Sequence, residues 1–322
     1  MPPMPSPTPT CRLVVLQYNR RDLLERFLPS VVKAANLSSY HCEVTVLDNQ
    51  SSDDSVDYVR KNFPQVEIYI ASENKVLCSF NEYVERCSED VVILLNNDME
   101  LAPSFVDPLM EPFLKDEDVF FVATNEDRSI AKIHYGLLTA DMYYQGHEAL
   151  NQKEGFTLSA GVAAFNRKKF LELGGYDEIF LPGRYEDVDL CYRGWKRGWK
   201  GIYQPLSKKM HLGGASFEKV FAHNATQALV FRNAIFFMVK NITDRHIFAR
   251  FLFWLPVRLV GSIFVGKLFF WQGFLQAIPK LPGALKRRRE VKGTFVQSDQ
   301  WVIDTVNDAW YSLCRSERTR PR

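Results

Sequence analysis

Apolar runs that stop abruptly at polar clusters recur through the first hundred residues. Residues 11–16 (CRLVVL) end at Gln17-Tyr18-Asn19-Arg20-Arg21. Residues 43–47 (EVTVL) end at Asp48-Asn49-Gln50-Ser51-Ser52-Asp53-Asp54, residues 66–70 lead to Ser72-Glu73-Asn74, and residues 91–95 end at Asn96-Asn97-Asp98-Met99-Glu100. Short runs of this kind predict strands buried on both faces, as in parallel sheets. Between them the period lengthens. Leu23, Leu24, Phe27, Leu28, Val31 and Val32 fit one face of a helix that Asp22 can cap. Val56 and Val59 continue a second helix that Ser52 or Asp53 can cap, and a third covers about residues 78–86. Strands alternating with helices predict a mostly parallel, Rossmann-like α/β sheet with flanking helices. The polar clusters would then lie side by side at the strands' carboxyl ends, where open α/β sheets bind ligands.

Two carboxylates stand out there. Asp98 and Glu100, one residue apart, point the same way from an extended chain. A divalent cation carrying a phosphate would relieve the cost of leaving them bare near a buried strand end; a solvated acidic turn is the alternative. Asp48 can accept hydrogen bonds from a ribose or a base, or from its own turn. The first strand–helix turn has no GxGxxG and no Walker glycines, so neither a dinucleotide fold nor a P-loop is supported.

A second cluster begins at Leu158-Ser159-Ala160-Gly161-Val162-Ala163-Ala164-Phe165, expected as a strand. A short helix over residues 167–173 follows, closed by Gly174-Gly175. Then comes Arg184-Tyr185-Glu186-Asp187-Val188-Asp189-Leu190-Cys191-Tyr192-Arg193-Gly194-Trp195. Glu186 and Asp187 fall in a helix's first turn, where the dipole alone favours carboxylates. His211 precedes Leu212-Gly213-Gly214, and glycines beside a histidine suggest close backbone approach. A lone histidine is also commonly structural.

Taken in this order, the motifs resemble family 2 glycosyltransferases of the GT-A fold, which are inverting and nucleotide-sugar-dependent. The resemblance covers about residues 11–240. It implies that Asp48 contacts the nucleoside, with Tyr18, Asn19, Arg20, Asn74, Asn81, Asn97 and Arg193 around the donor. Asn97-Asp98 stands for the DxD-type motif that holds a divalent metal, Mn²⁺ or Mg²⁺, and the donor diphosphate. Asp98, Glu100 and His211 are its candidate ligands. Asp187 becomes the general base and Glu186 a neighbour that tunes it. Departures are Lys75-Val76-Leu77-Cys78-Ser79-Phe80 where relatives are glycine-rich, Gln17-Tyr18 for a Thr-Tyr pair, and Asn97 for the first Asp of a strict DxD.

Composition adds bounds. The 322 residues carry a net charge of +2, with 46% hydrophobic and 24% charged residues. That is ordinary globular usage and implies no nucleic-acid partner. The expected organisation is a loose tail over 1–10 that is not a signal peptide, a GT-A domain over 11–240, and a helical extension over 241–322. The six cysteines show no CxxC spacing and are read as reduced thiols. The extension is rich in aromatic and aliphatic residues, and residues 245–292 hold ten Lys or Arg against one acid, Glu290. Its longest uncharged run, 268–279, is short of the roughly 20 residues a spanning helix needs. Helices lying in an anionic membrane interface are expected; a buried hairpin or a homo-oligomer interface is the alternative.

These features lead to an inverting transferase, peripheral on the cytoplasmic face of the cell membrane. It would act on a saccharide or lipid-linked acceptor in surface polysaccharide, lipopolysaccharide or glycolipid synthesis, with a rhamnosyl-type donor suggested by analogy. A non-catalytic sugar-nucleotide-binding scaffold is one rival. A nucleotidyltransferase is the other, and it lacks its glycine-rich triphosphate loop here.

Overall fold

The computed structural model describes residues 8–142, 148–211 and 223–318. Residues 1–7 of the expected tail, Gly213 and Gly214 beyond His211, and the last four residues lie outside these. In chain order the elements are β1 (Cys11–Gln17), α1 (Arg21–Leu37), β2 (Cys42–Asp48), α2 (Ser55–Asn62), β3 (Glu67–Ile70), α3 (Ser79–Arg86) and β4 (Val91–Asn96). Next come β5 (Met99–Leu101), α4 (Val106–Lys115), β6 (Val119–Ala123), β7 (Ser129–His134), β8 (Leu137–Met142), α5 (Glu148–Asn151), β9 (Gly155–Phe156), β10 (Ala163–Asn166) and α6 (Arg167–Glu172). The chain continues through α7 (Glu186–Lys196), β11 (Lys200–Tyr203), β12 (Lys209–His211) and α8 (His223–Asn241). It closes with α9 (Arg245–Phe264), α10 (Phe269–Ala277), α11 (Leu281–Lys292) and α12 (Asp299–Arg318).

Backbone contacts divide the chain into two units that interleave in sequence. The first comprises Met1–Glu126, Val162–Gly175 and Gln204–Leu212; the second comprises Asp127–Gly161, Tyr176–Tyr203 and Gly213–Arg322.

In the first unit the sheet order is β3-β2-β1-β4-β10-β6. The pairs β3/β2, β2/β1 and β1/β4 are parallel, as their unbroken apolar runs predict. The register sets Gln17 beside Asp48 and Leu16 beside Asn96. Three polar clusters thereby meet along one sheet edge. β10 runs antiparallel to both β4 and β6. Only Ala163–Asn166 of the expected 158–165 strand is paired as such, because Leu158 N–H bonds Ser129 instead.

Two local expectations are corrected. Asp22 does not cap α1; both its oxygens take the Arg20 guanidinium. Asp53 holds both helix starts, accepting from Arg20 N, Arg21 N and Ser55 N. Cys11 and Cys42, read as free thiols, are register partners on β1 and β2 and form a disulfide. Sheet register, not sequence spacing, brings them together.

The second unit holds the β7–β8 hairpin, the β9/β11 pair, α7 and the helices from α8 onward. Tyr135 and Gly136 turn the hairpin at φ 46° and 80°, the left-handed pair that two-residue hairpin loops require. α8 is buried almost all round and packs on α10, where Gly273 approaches the Ala228 carbonyl. Asp299, at the start of α12, gathers Tyr192, Lys196 and the Thr243 and Asp244 amides.

Gly175 shows how tightly the first unit is assembled. Its φ is 65°, and a β-carbon there would stand 2.2 Å from Asn81 Oδ1 and 2.8 Å from Phe170. Gly175→Ala is expected to destabilise the chain by about 1–3 kcal/mol through strain and overlap together. Urea titration of the two proteins measures this, and equal midpoints would refute it.

Candidate functional site

The first unit presents buried oxygen acceptors at its strand ends. Asp48 is 1% exposed; its Oδ2 accepts from Ser51 N, and its Oδ1 has no partner. Asn49 donates to the Val76 carbonyl and leaves its own Oδ1 without a donor. Gln17 spans the cluster, donating to Ser55 Oγ at 2.8 Å and accepting from Asn97 Nδ2 at 2.6 Å. Asn19 uses its side-chain oxygen on Ser52 N and Asp53 N, so it shapes the turn. Tyr18 is exposed, and Arg20 is engaged by Asp22 while feeling the charge of Asp98. Asn74 caps its own turn at Val76 N. Asn81 lies against Gly175. Buried acceptors without donors are rare in folded proteins and call for a ligand, an ion or a water.

Asp98 is the sharpest case. Asn97 and Asp98 form the turn between β4 and β5, and β5 pairs antiparallel with β12, setting His211 opposite Met99. His211 Nε2 lies 3.1 Å from Asp98 Oδ1, yet that oxygen, on a residue 5% exposed, has no aligned hydrogen-bond donor. Glu100 does not join them. The turn breaks the extended geometry that would have aligned it with Asp98, and Glu100 is exposed on β5 across from Met210. Among the described residues no three His, Cys, Asp or Glu side chains converge as a metal cage. Asp98 and His211 could offer two ligands to a cation whose other positions are filled by phosphate oxygens and water.

The second unit carries a different group. α7 begins at Glu186 behind two consecutive left-handed residues, Arg184 at φ 74° and Tyr185 at φ 75°. Glu186 is 6% exposed and its Oε2 has no partner. Burial, then repulsion from Asp187, pushes its carboxyl up to about 8. Asp187 is pushed up as well, chiefly by burial and further by Asp127, against the hydrogen bond from Val188 N at 2.8 Å. A β-carbon on Gly161 would sit 3.8 Å from Asp187 Oδ2 and 3.9 Å from Asp127 Oδ1.

Asp127 was not singled out from the sequence, although it ends the cluster Asn125-Glu126-Asp127 after the apolar run of β6. That is the same signal that marked Asp48 and Asp98. Arg193, assigned to the donor by resemblance, has a different use. It is buried with its guanidinium on Asp189 at 2.8 Å, one turn back on α7. Lys240 and Asn241 complete the shell of Asp189, whose carboxyl is held below its ordinary value despite burial.

Comparison with known proteins bears on the family and the fold. The family model described as glycosyl transferase family 2 matches residues 13–174. The chain is 21% identical over 237 residues to N-acetylgalactosaminyltransferase 7 of Drosophila melanogaster, covering 65% of this chain and 40% of that protein. It is 32% identical over 94 residues to glycosyltransferase SunS of Bacillus phage SPbeta, covering 29% of this chain and 20% of that protein. The chain thus spans less than half the length of these curated relatives. Among solved structures, GalNAc-T7 with UDP, GalNAc and Mn²⁺ superposes with a TM-score of 0.57 at 17% identity, covering 74% of this chain and 49% of that one. The mannosyltransferase PcManGT from Pyrobaculum calidifontis, with GDP-Man and Mn²⁺, gives 0.50 at 14% identity, covering 90% and 87%. The GT-A architecture expected from the sequence is therefore present.

The raised Glu186 carboxyl makes stability depend on pH. Its folded pKa, about 8, lies above the ordinary value of 4.5, so the folded chain binds this proton more tightly than the unfolded chain. The contribution is fully present below about pH 4.5 and is lost as pH rises toward 8. Across that window the wild-type chain should lose stability relative to Glu186→Gln by on the order of 3 kcal/mol. Urea unfolding of both proteins at several pH values tests this, and parallel curves would count against it.

Proposed function

The chain belongs to glycosyl transferase family 2, and we propose that it moves a sugar from a nucleotide-diphospho-sugar to a hydroxyl acceptor with inversion. The observation that carries this reading is the set of buried, donorless oxygens on Asp48, Asn49 and Asp98 at the carboxyl ends of parallel strands. A nucleoside brings hydroxyl and N–H donors to Asp48 and Asn49. Asp98 and His211 would hold a divalent cation, which when bound supplies charge neutralisation at the departing diphosphate. The similar solved structures contain Mn²⁺ with UDP or GDP-mannose, in keeping with that choice.

Asp187 is the base. Burial raises its proton affinity, which is what a carboxylate needs in order to accept a proton from an alcohol near neutral pH. The acceptor oxygen bonds to the anomeric carbon as its proton passes to Asp187. The bond from that carbon to the diphosphate oxygen breaks on the opposite face. The products are an inverted glycoside and a nucleoside diphosphate. Glu186, holding its proton at neutral pH, keeps a second negative charge away from the base.

Asp187→Asn should lower transfer by about 10²–10⁴-fold while leaving donor binding intact. Asp98→Asn and His211→Ala should instead remove a metal-dependent thermal stabilisation by one of UDP, dTDP, GDP or CDP. That stabilisation is about 2.7 kcal/mol at a hundredfold excess over the dissociation constant. Retained turnover in Asp187→Asn sinks the base assignment. Metal-independent stabilisation that survives Asp98→Asn sinks the metal site.

A further inference from the structure

The second unit has a helix built inside out. One side of α9 is sealed: Ile247, Phe251, Leu259 and Ser262 are buried. A β-carbon on Gly136 would meet the Arg250 carbonyl at 2.8 Å and the Phe251 α-carbon at 2.9 Å, so the hairpin turn lies against the helix backbone. Arg258 donates inward to the His134 and Tyr135 carbonyls, and Trp271 Nε1 donates to the Leu259 carbonyl at 2.9 Å. Between Phe251 and Lys267 every exposed residue is apolar, glycine or proline: Leu252, Phe253, Pro256, Val257, Val260, Gly261, Ile263, Phe264, Val265 and Gly266. Phe264 is 84% exposed. Exposed apolar strips of this length mark an interaction surface.

We propose that this face of α9 lies on the surface of an anionic bilayer. Seven exposed cations border it in sequence, Arg245, Arg250, Lys267, Lys280, Lys286, Arg289 and Lys292, with Glu290 the one acid between residues 245 and 292. Cations flanking an apolar strip in sequence match anionic headgroups beside acyl chains. A second copy of the chain would bring like charges together. α9 is long and apolar enough to cross a membrane, but crossing would carry into hydrocarbon the hairpin bonded along its inner side, with Lys132, His134 and Asp141. It lies in the plane of the interface.

Vesicle co-sedimentation tests this with phosphatidylcholine alone and mixed with phosphatidylglycerol. The full chain should pellet with the anionic vesicles and release partly at high salt. Phe253→Glu with Phe264→Glu should weaken binding about tenfold or more while leaving the diphosphate-induced thermal shift unchanged. No pelleting, or pelleting indifferent to these changes, overturns the proposal. So does a concentration-dependent dimer that the same changes dissolve.

A separate observation concerns the loop before Asp187. Asn233, on α8, is fully buried. Its Nδ2 lies 2.8, 2.8 and 2.7 Å from the carbonyl oxygens of Phe180, Gly183 and Arg184, which share its two N–H donors. Arg232 adds a bond to the Leu181 carbonyl at 2.6 Å. These bonds grip the segment whose last residues hold the left-handed conformation, and α7 has no side-chain cap of its own. The structure assigns Asn233 as a positioning residue that holds Arg184 and Tyr185 left-handed and so aims Asp187; this rests on Asp187 being the base.

Asn233→Leu should lower kcat about tenfold or more with the donor KM unchanged, and should speed amide exchange over residues 183–186. Adding Arg184→Gly, which takes a positive φ without steric cost, should restore protection and part of kcat. Unchanged exchange in Asn233→Leu, or no rescue by Arg184→Gly, overturns the assignment. If exchange responds and is rescued while Asp187→Asn remains active, the base reading fails and the loop assignment stands.

Discussion

A carboxylate taken out of water must be met by a cation, a donor or a proton, and α7 shows different answers within one turn. Asp189 is fully buried and met by Arg193, Lys240 and Asn241, so its carboxyl stays below the ordinary range. Glu186 and Asp187 sit at the helix start, where the dipole favours negative charge by about 0.3–1 kcal/mol. Burial outweighs it. Glu186 rises to about 8, from an ordinary 4.5, which corresponds to several kcal/mol. The helix thus separates a carboxylate kept charged for structure from two whose proton affinity burial raises.

That separation needs a backbone that presents Glu186 and Asp187 where burial outweighs the attraction of Arg184. Two successive non-glycine residues with positive φ are costly, roughly 1–2 kcal/mol each, and persist only where surroundings compensate. Three carbonyls received by one buried amide are such a compensation. The first unit uses a milder device. Its Asp48, Asn49 and Asp98 oxygens are fixed by strand ends and turns, so their lack of donors follows from sheet register.

Much of this was legible in the sequence. The strands of the parallel sheet announce themselves as apolar runs, and their polar ends locate Asp48 and Asp98 without further information. What failed were inferences that needed to know how the chain bends. Glu100 looked equivalent to Asp98 under extended geometry, but a turn intervenes. Arg193 fits a motif order, while its helical spacing from Asp189 decides its use. Asp127 carried the same strand-end signal as Asp98 yet lies four residues past the end of β6, beyond Thr124-Asn125-Glu126. The pairing of Cys11 with Cys42 is equally a product of register.

The C-terminal helices mark a limit of another kind. Periodicity finds a buried face by contrast with a polar one, and α9 offers little contrast because both sides are apolar. Its orientation is decided by partners remote in sequence. Gly136 admits the helix backbone to close contact, and Arg258 turns inward to two hairpin carbonyls. An arginine that appears from sequence to interrupt an apolar stretch therefore belongs to the sealed side. Its removal from the outer face is what leaves Leu252 to Gly266 without an exposed charge. The composition that suggested a membrane surface and the one that suggested a buried hairpin are the same residues, divided between a buried and an exposed face of one helix.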